Sequence, residues 1–376
     1  MKNYYIGIMS GTSMDGIDAV LTEISKDGKT QVLLHQEVPM SQTLRNTYFQ
    51  LQGPSQNELH IEALAANQLA QHYHSAVTGL LKRAELKNSD ICAIGAHGQT
   101  IRHQPQAHDG TGYTKQSLNP ALLAELTEID VIADFRSRDI AAGGQGAPLV
   151  PAFHMAQFAD HEPMAILNIG GIANLSLIST KESSQIIGFD CGPGNALMDD
   201  WINKHQHQSY DSEGQWASSG NVIKELLHSM SSDPFFKQMP PKSTGRDLFN
   251  LQWLSHHLDK SQTSQAAPED IQASLMMLTA LSIAESLKAH APKTQRLLIC
   301  GGGIKNTALI NQIKQLCDWI PPENIQSTAS KGVDPQTVEA AAFAWLAWSF
   351  KEKRPANLPA VTGAKGLRLL GALYPA

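Results

Sequence analysis

Three apolar runs in this chain each end in a glycine turn, and that pattern limits the fold more than any other feature. The turns are Ser10-Gly11-Thr12-Ser13-Met14-Asp15-Gly16, Asn168-Ile169-Gly170-Gly171-Ile172-Ala173-Asn174 and Cys300-Gly301-Gly302-Gly303-Ile304-Lys305-Asn306. Backbone N–H groups in such a turn suit a phosphate, because glycine lets an anion approach the main chain closely. The first turn contains Gly-x4-Gly but continues with Ile17-Asp18, where a P-loop would place lysine and then serine or threonine, so it is not a P-loop. Neither Gly192-Pro193-Gly194 nor Gly301-Gly302-Gly303 extends to the Gly-x-Gly-x-x-Gly of a dinucleotide fold.

The segments around the turns follow a repeated order. Residues 4–9 and 17–24 read as β-favouring strands joined by the first turn, and 31–38 as a third strand. Residues 58–86 carry Leu59, Ile61, Leu64, Leu69, Tyr73, Val77, Leu80 and Leu81 at helical spacing, before a short buried strand over 91–95. A helix over 120–126 and a strand over 131–134 follow, and 143–146 reads as a glycine-rich loop between halves. The order then restarts with strands over 164–169, 172–178 and 186–190. A helix over 268–290, a strand over 296–300 and a helix over 306–316 come after them. The last helix, 335–350, opens near a proline and is apolar over nearly its whole face. Identity between the two passages is slight, so the repeat is one of pattern. It predicts two α/β lobes, the first made of 1–130 plus about 335–376 and the second of 131–334.

Composition narrows the ligand class. With 42% hydrophobic and 17% charged residues the chain reads as globular, and a formal charge of -6 argues against a general affinity for nucleic acid. No apolar stretch approaches the roughly 20 residues that would span a membrane. Cys92, Cys191, Cys300 and Cys317 form no Cys-x-x-Cys pair, which fits a reducing cytoplasm. The paired histidines (His72 with His74, His205 with His207, His256 with His257) lack metal-ligand spacing and read as solvated. A small-molecule ligand is expected.

Motifs spread along the chain carry a more specific signal. Met9-Ser10-Gly11-Thr12-Ser13-Met14-Asp15-Gly16-Ile17-Asp18, Gly95-Ala96-His97-Gly98-Gln99-Thr100, Asp134-Phe135-Arg136, Gly144-Gln145-Gly146-Ala147-Pro148-Leu149 and Phe189-Asp190-Cys191-Gly192-Pro193-Gly194-Asn195 together resemble the anhydro-N-acetylmuramic acid kinase family. Lys242-Ser243-Thr244-Gly245-Arg246 and Glu339-Ala340-Ala341-Ala342-Phe343 continue the likeness over nearly the whole chain. Cys191 stands where threonine is more usual. The resemblance implies a two-lobed actin-like ATPase fold, a duplicated ribonuclease H-like arrangement with a central cleft for nucleotide and sugar. It implies ATP and Mg2+, a cytoplasmic location, and a possible homodimer, for which the apolar final helix offers a surface, although that face reads equally as core.

The same resemblance places the nucleotide phosphates on the first two turns, at Gly11, Thr12, Ser13, Met14, Asp15, Gly16, Ile17 and Asp18 and at Asn168, Gly170, Gly171 and Asn174. The adenosine lies against Gly301, Gly302, Gly303 and Asn306. The implied substrate is 1,6-anhydro-N-acetylmuramic acid, released in peptidoglycan recycling, whose O6 is tied in a bridge to C1. Water must open the bridge at C1 while O6 takes the γ-phosphate. A carboxylate is needed to orient and deprotonate that water. Asp190 ends a strand before a glycine-proline turn and fits; the alternative is an aspartate capping a helix near Asn195.

Asp15 and Asp18 flank the first turn and are candidates to hold Mg2+ through water, or Asp15-Gly16 simply completes a hairpin. Arg136 follows a strand and offers a guanidinium fork to the substrate's lactyl carboxylate. His97 and Gln99 suit sugar hydroxyls or the acetamido group. Glu339 reads equally as a ligand or as a helix-start charge. Two other functions share these features: a kinase for a different amino sugar with a free hydroxyl, and an actin- or Hsp70-like regulatory ATPase.

Overall fold

The computed structural model describes residues 3–11, 14, 16–180, 186–246 and 248–376. The expectations at Thr12, Ser13 and Asp15 fall outside this set. The chain divides into two compact units, 1–158 with 337–376, and 159–336.

In the first unit β1 (Tyr4–Ser10), β2 (Gly16–Ile24) and β3 (Thr30–Pro39) form an antiparallel meander, and β4 (Ile91–Ala96) pairs parallel to β1. The hairpin β5 (Gln99–Pro105) and β6 (Gly112–Ser117) forms a separate two-stranded sheet. β7 (Val131–Ala133) then joins β4 in parallel. In the second unit β8 (Met164–Ile169), β9 (Ile172–Ile178) and β10 (Ile186–Pro193) form another meander. β11 (Arg296–Cys300) pairs parallel to β8, and β12 (Ile325–Ser327) parallel to β11. β13 (Ala372–Tyr374) returns to the first sheet, antiparallel to β7.

The sheets run β13-β7-β4-β1-β2-β3 and β10-β9-β8-β11-β12. Apart from the short edge strand β13, both have the order third, second, first, fourth, fifth, with the same pattern of antiparallel and parallel pairs. This is the duplicated ribonuclease H-like order of actin-like ATPases, so the repeat expected from the sequence is present as topology.

Two expectations are corrected and one open alternative is decided. The first border lies at 158/159, because β7 pairs with β4 inside the first sheet; the 143–146 loop therefore sits within a unit and not between halves. Leu59 (88% exposed) and Leu64 (50%) lie off the buried face of the helix Glu58–Ala84. That face is built from Ala65, Leu69, Tyr73, Ala76, Val77 and Leu80. For the apolar face of the final helix, Val338–Lys351, the core reading holds: Val338 and 340–349 are all buried.

That helix comes close to the sheet for a local reason. Gly7 of β1 and Gly95 of β4 are register partners. A Cβ at Gly7 would overlap the Ala340 carbonyl oxygen, and one at Gly95 the Phe343 carbonyl oxygen. The helix backbone lies directly on this glycine pair. Gly95→Ala is expected to destabilise the protein by about 1–3 kcal/mol, the range for overpacking, with the upper end favoured because backbone must move. Denaturant unfolding of the variant checks this, and wild-type stability would contradict it.

Candidate active site

The candidate side chains His97, Gln99 and Arg136 of the first unit lie beyond the carboxyl ends of the parallel strands β1, β4 and β7, where α/β sheets commonly bind ligands. Gln99 Nε2 donates to the Gly11 carbonyl at 3.2 Å, and Ser10 Oγ donates to the Gly98 carbonyl at 3.2 Å, which joins the first glycine turn to the turn after β4. The His97 N–H donates to the Ile8 carbonyl at 3.0 Å and extends the β4 pairing by one residue. Its ring lies 4.6 Å from that of Phe343.

Arg136 donates from Nε and Nη2 to His97 Nε2, at 3.1 and 2.9 Å, and from Nη1 to the Gly146 carbonyl at 2.9 Å. Arginine can only donate, so His97 Nε2 is the bare nitrogen and the proton sits on Nδ1. Burial, with the adjacent Arg136 charge, holds His97 well below its ordinary 6.5, so the ring is neutral. Burial lowers Arg136 to about 10, against the opposing charges of Glu339 and Asp139, and it stays charged at neutral pH. One N–H on each of Nη1 and Nη2 is left over, a fork suited to a carboxylate. Three of the four expected substrate residues, His97, Arg136 and Glu339, thus interact as one group, while Gln99 is bound to the glycine turn.

Asp139 supports this group and went unnoticed in the sequence. It is fully buried: Oδ2 accepts from the Gly146 N–H, and Oδ1 from Asn357 Nδ2 and Thr362 Oγ1, each at 2.8 Å. Gly146 in turn receives Arg136. Asp139 stands three residues after Arg136, but nothing in that spacing shows that its partners come from the C-terminal segment.

Asp18 is placed by β2 and has Oδ1 at 2.7 Å from His35 Nε2. Met14 is buried and adopts φ 58°, Gly16 pairs with Pro39, and Ile17 belongs to the core.

In the second unit Asp190, Asn174, Asn168 and Cys300 are register neighbours across four strands, so their side chains share one sheet face. The opposite face, with Leu167, Ile169, Leu175 and Phe189, packs into the core. The turn Gly170-Gly171 is open enough that added Cβ atoms would meet only ordinary contacts, at 3.7 and 3.6 Å, and a Cβ at Gly302 would meet nothing within 4 Å. Gly301 and Gly303 are packing residues instead, pressed on Asn168 and Ile169. Asn306 caps the helix Thr307–Leu316, its Oδ1 accepting from the Leu309 N–H at 3.0 Å.

Asp190 does not cap the helix Ala196–Gln206. Its Oδ2 accepts from the Thr244 N–H at 2.8 Å, and its own N–H donates to the Lys242 carbonyl at 3.0 Å, so residues 242–244 run beside β10. Burial pushes its carboxyl up to about 6, and the Thr244 N–H and the Lys242 charge pull the other way. The Lys242 ammonium is itself buried, donating to the Phe235 carbonyl at 3.2 Å and lying 4.5 Å from the Phe235 ring centroid. The Lys242-Ser243-Thr244 run was visible in the sequence as part of the resemblance, without a role.

Among the described residues no group of three or more His, Cys, Asp or Glu side chains could hold a metal ion, and no helix is long and apolar enough to cross a membrane. One of the paired histidines departs from the solvated reading: His257 is buried, with Nδ1 2.9 Å from Ser229 Oγ.

A family model described as anhydro-N-acetylmuramic acid kinase matches residues 3–376. The chain belongs to the anhydro-N-acetylmuramic acid kinase family. Proteins of that name from Cupriavidus pinatubonensis and Cupriavidus metallidurans are 52% and 50% identical to it; the matches cover 99% of this chain and 98% and 97% of theirs. The one from Pseudomonas syringae pv. tomato is 51% identical over 377 residues, with both chains covered fully. Family membership and the strand order thus agree on an actin-like kinase fold.

The raised Asp190 value has a stability consequence. A carboxyl at about 6 in the folded protein and 3.8 ordinarily contributes stability below pH 3.8 that is lost as pH rises through 6. Asp190→Asn carries no charge at any pH and escapes this loss. Relative to wild type it is expected to gain roughly 2–3 kcal/mol between pH 4 and 7.5, at 1.36 kcal/mol per pH unit. Unfolding of both proteins across that range measures the difference, and a pH-independent difference would contradict it.

Proposed function

We propose that this chain is an ATP-dependent kinase that opens the 1,6-anhydro ring of 1,6-anhydro-N-acetylmuramic acid with water and phosphorylates O6. The products are N-acetylmuramic acid 6-phosphate and ADP, and the setting is cytoplasmic peptidoglycan recycling. Asp190 carries the mechanistic reading. It is a partly buried carboxylate with one oxygen held by a main-chain N–H, and burial raises its basicity towards neutrality.

In this reading Asp190 accepts a proton from water as the water oxygen bonds to C1. The C1–O6 bond breaks, O6 bonds to the γ-phosphorus of ATP, and ADP leaves. The neutral His97 and the charged Arg136 bind substrate, with the free guanidinium fork on the lactyl carboxylate and Glu339 balancing the buried cation. The open backbone at Gly170, Gly171 and Gly302 fits the approach of a nucleotide, because nothing fills the space a Cβ would take. Asn168 and Asn174 flank that turn on the Asp190 face. Mg2+, when bound, would neutralise developing charge on the phosphates. Asp18 would hold it through water, together with Asp15 from outside the described residues.

Asp190→Asn keeps the size of the side chain and its capacity to accept from Thr244, but removes the base. Turnover is expected to fall by about 10² or more, while calorimetry shows both substrates still binding. In the wild type kcat/KM should drop below about pH 6 as Asp190 is protonated. Near wild-type turnover in Asp190→Asn would remove Asp190 from the mechanism.

A further inference from the structure

Thr244 stands next to the base, and its hydroxyl has no partner. Oγ1 is shut off from solvent and forms no hydrogen bond within the protein. An unpaired buried hydroxyl costs about 1–3 kcal/mol. Packing alone would be served better by an apolar side chain of the same shape. The polar groups around it are satisfied: Asp190 Oδ2 accepts from the Thr244 N–H at 2.8 Å, the Asp190 N–H is taken by Lys242 at 3.0 Å, and the Lys242 ammonium by the Phe235 carbonyl at 3.2 Å. The hydroxyl of Thr244, the residue that holds Asp190, has no such partner, and Asp190 Oδ1 beside it is likewise left open.

The bond to Asp190 comes from the Thr244 main chain, so it fixes the threonine against the carboxylate whatever the side chain is. It also distinguishes the two carboxylate oxygens. Oδ2 is occupied, which leaves Oδ1 as the basic oxygen.

We propose that Thr244 is a positioning residue for the attacking water, its Oγ1 accepting one water O–H while Asp190 Oδ1 accepts the other. A water held by both hydrogens has its lone pairs directed away from Asp190 and Thr244, and only one orientation is left for attack. The proton on the Asp190 side is the one transferred as the oxygen bonds to C1 and the C1–O6 bond breaks. Thr244 holds its water hydrogen throughout and is not itself ionised. This inference rests on Asp190 being the base.

Thr244→Val and Thr244→Ser, measured beside Asp190→Asn with ATP and the anhydro sugar, test it. In Thr244→Val the main-chain bond to Asp190 persists, so the acid limb of kcat/KM should stay near pH 6. Its melting temperature should equal or exceed that of wild type, because an unpaired polar atom is gone. KM for both substrates should be nearly unchanged, and kcat should fall about 10- to 100-fold, the scale of a misplaced reactant. Thr244→Ser keeps the hydroxyl and should turn over close to wild type. A wild-type kcat in Thr244→Val overturns the proposal, as does an equal loss in the valine and serine variants, which would assign the effect to packing of the methyl group. If Thr244→Val is fully active while Asp190→Asn is inactive, only the role of Thr244 fails; an active Asp190→Asn removes the base and Thr244 with it.

Discussion

The contact of the final helix with a pair of glycines holds the first unit together. Gly7 and Gly95 lie side by side on β1 and β4, and the backbone of Val338–Lys351 rests on them at Ala340 and Phe343. Two consequences follow from this one approach. The C-terminal segment becomes part of the first sheet's unit although the whole second unit separates them in sequence. The helix also delivers Phe343 to the His97 ring and Glu339 to the neighbourhood of Arg136. With Cβ atoms at these two positions, the same residues would lack this seat.

Two kinds of electrostatic arrangement result. In the first unit a buried cation is compensated by Glu339 and Asp139, and a neutral imidazole accepts from it. Such a buried charge is stable only with partners on several sides, and the Asp139 bonds to Gly146, Asn357 and Thr362 supply the outer layer. In the second unit the balance is deliberately less complete. Asp190 has one N–H and a nearby ammonium against its burial, and its carboxyl rises as a result. A fully satisfied carboxylate would be a weaker base, so the remaining cost of burial raises the basicity of Asp190, as its proposed role requires.

Much of the architecture was legible in the sequence because the central strands are buried on both faces and read as unbroken apolar runs. Arg296–Cys300 and Pro268–His290 fall where the pattern puts them, the second with proline at its start. The hairpin β5–β6 escaped notice, since His103, Gln104, Lys115 and Gln116 give it a polar, half-exposed strand pair. The helix Glu58–Ala84 was found, but its face was misjudged, because large side chains such as Leu59 were counted and small ones such as Ala65 were not. At the site, turns and strand ends were readable. Pairings over long separations were not: Asp190 with Thr244, Asp139 with Thr362 and Arg136 with His97 depend on tertiary proximity, for which a single sequence carries no signal. Asn306 illustrates the converse, a residue beside a glycine turn whose side chain is occupied in capping a helix.

The central claim is that water attacks C1 while O6 of the same sugar receives the phosphoryl group. Turnover of the anhydro sugar and ATP in oxygen-18 water tests it most directly, with the product analysed by mass spectrometry before its anomeric oxygen exchanges with solvent. The account predicts one heavy oxygen on the C1 hydroxyl and none in the phosphate ester or in ADP. Heavy oxygen in released phosphate, with the sugar unlabelled, would contradict it and leave a protein that hydrolyses ATP.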